Sequence, residues 1–564
     1  ARLPGEPGCP AKIVRGELSM FATAGFVKRA FVAAAPLVFV CASWPAAAQT
    51  ATLATSIPAI VSRHAAAYVG APSPTAEMDL VISLPLRNTA ALDAFLADIY
   101  SPKSRNYRHY LSVAQFTERF GPTASDYNAA VQFFAAQGLT IQSQTANRYI
   151  IDVGGTVADI ERVFHVTMGL YRHPTENRNF LSPDRAPALD LAVPIQQVLG
   201  LDDFVRPYAK YIHNSAVESR NAGGSGPNGN LTGSDMRTAY YPTGSLTGQG
   251  QSVGLMELQG YNINDVNRFF SRGYGPSNSV PVIAVKTDKE PLKCPAATCD
   301  DTEQVLDIEY TISIAPELAS VRVYVGSSAE DVLNKMATDN ISKVLSTSWG
   351  WNENFATDDG LFQEFAAQGQ TNLTASGDYS SLAASGPWPE EDANIVAVGG
   401  TDVRTATPGG AWSVEAGWNS SAGGPSLDTS IGIESYQSRF INASNGGSTT
   451  LRNVPDVAAN AEEDMVICAD NTCKGGWGGT SFASPMWAGF IALANQQAVS
   501  SGKPVLGFIN PAIYGLARGS GYKSIFHDVR KGTSGDYSCT YSYDLVTGLG
   551  SPQGQALIDA LTPY

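Results

Sequence analysis

From about residue 231 the chain alternates strand-like and helix-like segments, and this alternation restricts the fold more than any other feature. QSVGLMEL (251–258) reads as a buried strand and NINDVNRFFSRG (262–273) as a helix. PVIAVKTD (281–288) and TEQVLDIEYTISIAP (302–316) repeat the pair. SVRVYVGS (320–327), KVLSTSWG (343–350), TNLTASGD (371–378) and NIVAVGGTD (394–402) continue the strands, with helices AEDVLNKMATDN (329–340) and FQEFAAQG (362–369) between them. Apolar strands joined by helices predict an α/β domain over 231–564, a parallel sheet with helices on both faces. Reactive groups in such a sheet gather at the carboxyl ends of its strands.

Residues 49–205 follow another pattern. MDLVISLPL (78–86) and RYIIDVGG (148–155) are strand-like, while TAALDAFLADIY (89–100), SDYNAAVQFFAAQG (125–138) and TVADIERVFHV (156–166) are helix-like. Two βαβ-like halves predict a separate α+β, ferredoxin-like unit. Between the two domains, over 206–230, lies a linker containing much of VESRNAGGSGPNGNLTGS (217–234). Gly, Asn, Ser and Pro build no core there and leave a cuttable backbone.

Residues 1–48 read as a leader and signal peptide. Lys28 and Arg29 precede an apolar run from Ala30 to Val40, and Ala46, Ala47 and Ala48 precede Gln49. A basic region, a short apolar run and small residues at the cut mark export. Residues 1–19 precede Met20, the expected initiator. The expected location is extracellular or periplasmic, without a membrane anchor. A net charge of −15 argues against nucleic acid as a partner, because phosphate binding needs a basic footprint. Cysteine usage agrees with export: Cys294 and Cys299, and Cys468 and Cys473, form two close pairs, with Cys539 alone. Each pair is expected to be a disulfide closing a short loop; a metal site is the alternative, and no histidine cluster accompanies them.

The most informative local stretch is GGWGGTSFASPMWAGFIALANQ (475–496). A glycine-rich run enters an apolar helix at Ser481, where free N–H groups and the helix dipole favour a developing oxyanion. Pro485 is expected to be tolerated within the first helical turn. A bare Gly-Thr-Ser is more often a helix cap. Ser481 acting as a nucleophile would need a base. Of the six histidines, His64, His109, His165 and His173 fall in the N-terminal unit and His213 in the linker, leaving His527 in SIFHDVRKG (524–532). Carboxyl groups are better placed. Glu303 and Asp307 are four apart on a predicted helix and share a face. Asp378 ends the strand TNLTASGD. Singly, each reads as a surface or turn residue; beside a serine stretch lacking its histidine they form a set.

That set resembles the sedolisin family of serine-carboxyl peptidases, in particular the kumamolisin-like proenzymes, and GTSFASPMWAG resembles the nucleophile segment of the wider subtilase clan. YRHYLSVAQFTERFGP resembles the family's activation domain. The resemblance implies a subtilisin-like catalytic domain with Ser481 as nucleophile, Glu303 as base, Asp307 orienting Glu303 by sharing its proton, and Asp378 as oxyanion donor. Glu257 in GLMELQG and Trp349 in STSWG would extend the network behind the base. FHDV (526–529) with CTYSYDLVTGLGSP (539–552) resembles the family's calcium loop. One structural Ca²⁺ would then take carboxylates from Asp528 and Asp544 and backbone carbonyls from Val529, Thr540 and Ser542. Relatives often carry glycines where this chain has Thr540 and Ser542. The implied protein is a monomeric, self-processing zymogen that cleaves proteins or peptides in acid, its N-terminal unit serving as folding aid and inhibitor. Two other readings are a subtilisin-like Ser/His/Asp peptidase using His527 and a non-catalytic secreted binding protein on a peptidase fold.

Overall fold

The N-terminal unit is built on β1 (Glu77–Ser83), α1 (Thr89–Ile99), α2 (Val113–Arg119), α3 (Ala124–Ala136), β2 (Thr140–Gln144), β3 (Ile150–Thr156), α4 (Val157–Phe164) and β4 (Gln197–Leu199). These elements come from a computed structural model that describes residues 51–53, 57–214, 223–276, 279–295, 299–351, 354–385 and 388–563. The leader and signal expected over 1–48, and residues 215–222 of the linker, lie outside the described residues. The four strands lie in the order β2-β3-β1-β4 with antiparallel neighbours, the arrangement of a ferredoxin-like sandwich. Helix α4 starts on a capping box formed by Thr156 and Asp159, satisfying two N–H groups that a helix end leaves free. Its Val157, Ile160 and Phe164 pack with Tyr127 and Phe134 of α3 on Leu80, Ile82, Ile151 and Val153 of the sheet.

Helix α1 departs from the expected sandwich. Its Leu92 joins Phe116 and Phe120 against Ala367 of the following domain. The Tyr100 hydroxyl donates to the Ala366 carbonyl at 2.6 Å. Spacing showed an amphipathic helix, but periodicity does not say which apolar surface receives it.

Two short strands follow, β5 (Tyr208–Ala209) and β6 (Ile212–His213). The larger domain then runs through β7 (Ser252–Glu257), β8 (Val282–Lys286), α5 (Thr302–Ile314), β9 (Ser320–Val325), α6 (Ala329–Asp339), β10 (Val344–Thr347), β11 (Trp349–Gly350) and α7 (Phe355–Ala367). It continues with β12 (Thr371–Ala375), β13 (Val396–Thr405), β14 (Trp412–Gly417), β15 (Val457–Asn460), β16 (Met465–Ala469), β17 (Thr472–Gly478) and α8 (Thr480–Ser500). The main sheet has the order β8-β9-β7-β10-β12-β13, extended at β13 by β15 and β14. Every pairing is parallel except β13 with β14.

Alternation along the strands separates two cores, as a period of two requires. Val253 and Leu255 of β7 face α5 and α8, while Met256 faces α6 and α7 with Leu333, Met336, Phe362 and Phe365. Helices α5 and α8 cross closely, since a Cβ added at Gly489 would lie 2.7 Å from Ile314 Cβ. Phe482, Met486 and Phe490 of α8 are buried in that core, each worth ~1.5–3 kcal/mol relative to exposure. The apolar surround of α8 therefore belongs to a covered core helix. No helix among the described residues is long and apolar enough to cross a membrane.

Candidate active site

Three adjacent parallel strands end at one place. Glu257 closes β7, Ser348 and Trp349 follow β10, and Asp378 lies just beyond β12. Behind this edge, α8 begins at Thr480 and α5 at Thr302. Ser481, Glu303, Asp307 and Asp378 are each no more than 3% exposed.

Ser481 sits in the first turn of α8, after Gly479 at φ 130°. That backbone region favours glycine, and space demands it too. A Cβ at Gly479 would lie 2.6 Å from Asp378 Oδ2 and 2.7 Å from the Lys210 carbonyl oxygen. Pro485 lies at the sixth residue of α8, past the first turn in which it was expected. A proline there deprives the Ser481 carbonyl of its helical donor, and the Ser348 hydroxyl donates to that carbonyl at 3.3 Å instead.

The Ser481 hydroxyl reaches three acceptors: Glu303 Oε2 at 3.0 Å, the Ser348 carbonyl at 3.5 Å and the Lys210 carbonyl. No imidazole is among them. Glu303 is held at the start of α5 by backbone contacts around it. Thr302 N–H donates to Asp300 at 3.0 Å and Asn262 N–H to Asp301 at 2.8 Å. One turn on, Asp307 accepts from the Ser348 hydroxyl at 2.8 Å. Glu303 feels the charge of both Asp307 and Glu257. The Trp349 indole donates to Glu257 Oε2 at 3.0 Å.

Burial dominates the electrostatics. Loss of water pushes Asp307 up to about 8. Glu303 and Glu257 are driven well above the usual carboxyl range by burial, and next by the charge of Asp307. Burial also lifts Asp378 to about 7 against the lowering effect of two hydrogen bonds from Thr480, at 2.8 Å from its N–H and 2.7 Å from its hydroxyl. Both end on Oδ1, and Oδ2 has no hydrogen-bond partner. The group can therefore carry a proton on the oxygen that shares the Gly479 space with the Lys210 carbonyl.

The linker passes through this site. Strand β5 pairs antiparallel with β11, Tyr208 opposite Gly350 and Ala209 opposite Trp349. Lys210 N–H donates to the Ser348 carbonyl at 3.0 Å, and the Lys210 carbonyl accepts from Ser481 N–H at 3.1 Å. Strand β6 then pairs antiparallel with β17, Ile212 opposite Gly478. Lys210, Ser348 and Thr480 carried no signal of their own in the sequence beyond adjacency to other site residues.

The remaining sequence candidates lie elsewhere. His527 stacks on Trp412 with centroids 4.0 Å apart, and pairs with Ser551; this contradicts its use as the base for Ser481. Cys294–Cys299 and Cys468–Cys473 are disulfide-bonded, closing the loop before α5 and the β16–β17 hairpin. Cys539 is buried and free. Asp528 and Asp544 converge on the 540–542 loop. Asp528 Oδ1 accepts from Ser542 N–H and Asp544 Oδ2 from Thr540 N–H, each at 2.9 Å. Arg530 pairs with Asp528 at 2.5 Å. Two carboxylates on one loop are oxygen donors of the kind Ca²⁺ takes, though no cluster of three acidic, His or Cys groups suited to a metal occurs among the described residues.

Comparison with known proteins agrees with this architecture. Residues 64–204 match the pro-kumamolisin activation domain, and residues 315–505 match the subtilase family. Kumamolisin from Bacillus sp. (strain MN-32) is 29% identical over 495 residues, covering 81% of this chain and 86% of that protein. Sedolisin from Pseudomonas sp. (strain 101) is 26% identical over 551 residues, covering 91% of each. A structure of Pseudomonas sedolisin, a serine-carboxyl proteinase complexed with two molecules of pseudo-iodotyrostatin, superimposes with a TM-score of 0.51 at 26% identity, over 58% of this chain and 96% of that one. An activation domain ahead of a subtilase-family domain, with kumamolisin and sedolisin among the relatives, supports a serine-type peptidase proenzyme of the sedolisin family.

Proposed function

We propose that this chain is the precursor of a secreted, acid-acting serine-carboxyl endopeptidase. The observation that carries the reading is the 3.0 Å approach of Ser481 Oγ to Glu303 Oε2. In this mechanism Ser481 attacks the scissile carbonyl, and Glu303 accepts its proton and returns it to the leaving amine. Three buried carboxyls cannot all ionise in one dry pocket. Among the shared states of this coupled cluster, the reactive one has protons on Asp307 and Glu257 and leaves Glu303 free to accept the proton of Ser481. Trp349 fixes Glu257, and Ser348 fixes Asp307. The tetrahedral oxyanion receives hydrogen bonds from Ser481 N–H and from protonated Asp378.

Acid follows from these roles. An imidazole with a pKa of about 6.5 is protonated at pH 4 and useless as a base there. Asp378, lifted to about 7, keeps its proton below neutrality and loses it above. Its anion would then repel the oxyanion. The N-terminal unit and the 206–230 linker block the cleft until self-cleavage within that linker removes them. Precursor moved from pH 7 to pH 4 should shorten by its N-terminal unit; a Ser481→Ala precursor that shortens equally without added protease would contradict this.

We also propose one structural Ca²⁺ at the 526–544 loop, held by Asp528 and Asp544 with carbonyls of Val529, Thr540 and Ser542. The two converging carboxylates support it. Bound there, the ion would supply cross-linking charge and no chemistry. Chelation should lower the melting temperature and added Ca²⁺ restore it; a melting temperature indifferent to both would remove the ion from the account.

A further inference from the structure

The linker lies across Ser481 as a substrate would. Strands β5 and β6 pair with opposite walls of the cleft, and the one carbonyl between them that meets Ser481 N–H belongs to Lys210. The Lys210–Tyr211 bond therefore sits at the nucleophile. The Lys210 side chain turns into a closed slot, 1% exposed. Its Nζ donates to the Ala375 carbonyl at 2.9 Å and to Glu390 Oε2 at 2.5 Å. The Glu390 side chain is 0% exposed. Its second oxygen, Oε1, is buried without a hydrogen-bond partner.

A carboxyl group at the end of a dry slot is costly unless a cation meets it. An apolar side chain of similar length would fill the slot and leave Glu390 unpaired. A lysine ammonium satisfies one oxygen, and a guanidinium has N–H groups enough for both. Either form of the carboxyl keeps an acceptor for such a donor.

We propose that Glu390 makes this slot the pocket for the residue preceding the cleaved bond and selects lysyl or arginyl side chains there, so that self-processing starts at Lys210–Tyr211. The proposal rests on the peptidase reading above. In the first step Ser481 Oγ bonds to the Lys210 carbonyl carbon as the bond to Tyr211 nitrogen breaks. The serine proton passes through Glu303 to that nitrogen, and water then hydrolyses the ester.

The test uses activated enzyme and four peptides identical except before the cleaved bond, where they carry Lys, Arg, norleucine or Glu. The enzyme should favour Lys and Arg over norleucine in kcat/KM by about 10⁴-fold, the scale of a pocket that hydrogen-bonds its ligand. Glu390→Gln should reduce that ratio to below about 10-fold. Mass spectrometry of the earliest acid-induced product should find Tyr211 at its N-terminus. Equal turnover of norleucine and lysine peptides by the wild type would overturn the proposal and leave the peptidase reading standing, and this outcome does not depend on a variant folding. A full preference surviving in Glu390→Gln would also overturn it. Failure of the wild type on every peptide at every acid pH would instead remove the peptidase reading and this inference with it.

Discussion

Buried charge in the larger domain takes two forms. Arg452 and Asp456 meet at 2.7 Å with both side chains 0% exposed. Asp456 further accepts from Ala397 N–H and the Tyr514 hydroxyl, each at 2.9 Å. Around Ser481, Glu257, Glu303 and Asp307 are as deeply buried, but none of the main influences on their titration is a cation. The first arrangement is a compensated pair that ties a loop to the sheet. The second lowers its cost by holding protons. A group poised between holding and releasing a proton can do acid–base chemistry, and a fully compensated one cannot.

The largest effect expected from this contrast is loss of catalysis. Glu303→Gln keeps the shape of the cluster and removes its proton acceptor, so kcat/KM at pH 4 should fall by ~10⁴-fold or more. A variant retaining a tenth of wild-type activity would mean that proton transfer happens elsewhere. The compensated pair should respond in stability instead. Arg452→Met leaves Asp456 buried without its cation and should cost ~3–5 kcal/mol in denaturant unfolding; unchanged stability would dissolve the distinction between the two clusters.

Asp378 sharpens the contrast from the other side. Asp378→Ala should lower kcat by ~10²–10³-fold. Asp378→Asn keeps an N–H donor at every pH, so the decline of activity near neutrality should move upward relative to wild type. The smallest effect is global. Glu257, Glu303, Asp307 and Asp378 all titrate above the unfolded range. Below about pH 4 both folded and unfolded carboxyls are protonated, and the contribution of these groups is fully present. As pH rises, the unfolded chain releases protons first and stability falls through the folded values, up to about 8 for Asp307. Melting temperature should therefore decline between pH 4 and pH 8, once calcium is held constant.

Much of this could be read from the chain. The strand–helix alternation located the sheet whose strand ends carry Glu257, Trp349 and Asp378, because a buried parallel strand leaves a continuous apolar run. Four-residue spacing put Glu303 and Asp307 on one helix face. What stayed hidden depends on tertiary approach. Lys210 and Glu390 are 180 residues apart in sequence, and no local pattern pairs them. Ser348 bridges Asp307 and the carbonyl freed by Pro485, a role visible only once α5, α8 and the end of β10 meet. The apolar face of α1 announced burial without saying that α7 of the other domain would supply it.

The central claim is that a carboxyl group, and no histidine, activates Ser481. Its most direct test is kcat/KM on one peptide from pH 3 to pH 8, for wild type and His527→Ala, both with calcium present. The account predicts two superimposable acidic bells that fall toward neutrality, the variant within about threefold of wild type, because His527 stacks on Trp412 and pairs with Ser551, a contact of ~1 kcal/mol, and is not among the acceptors of the Ser481 hydroxyl. An optimum near pH 8 that disappears in His527→Ala would contradict it.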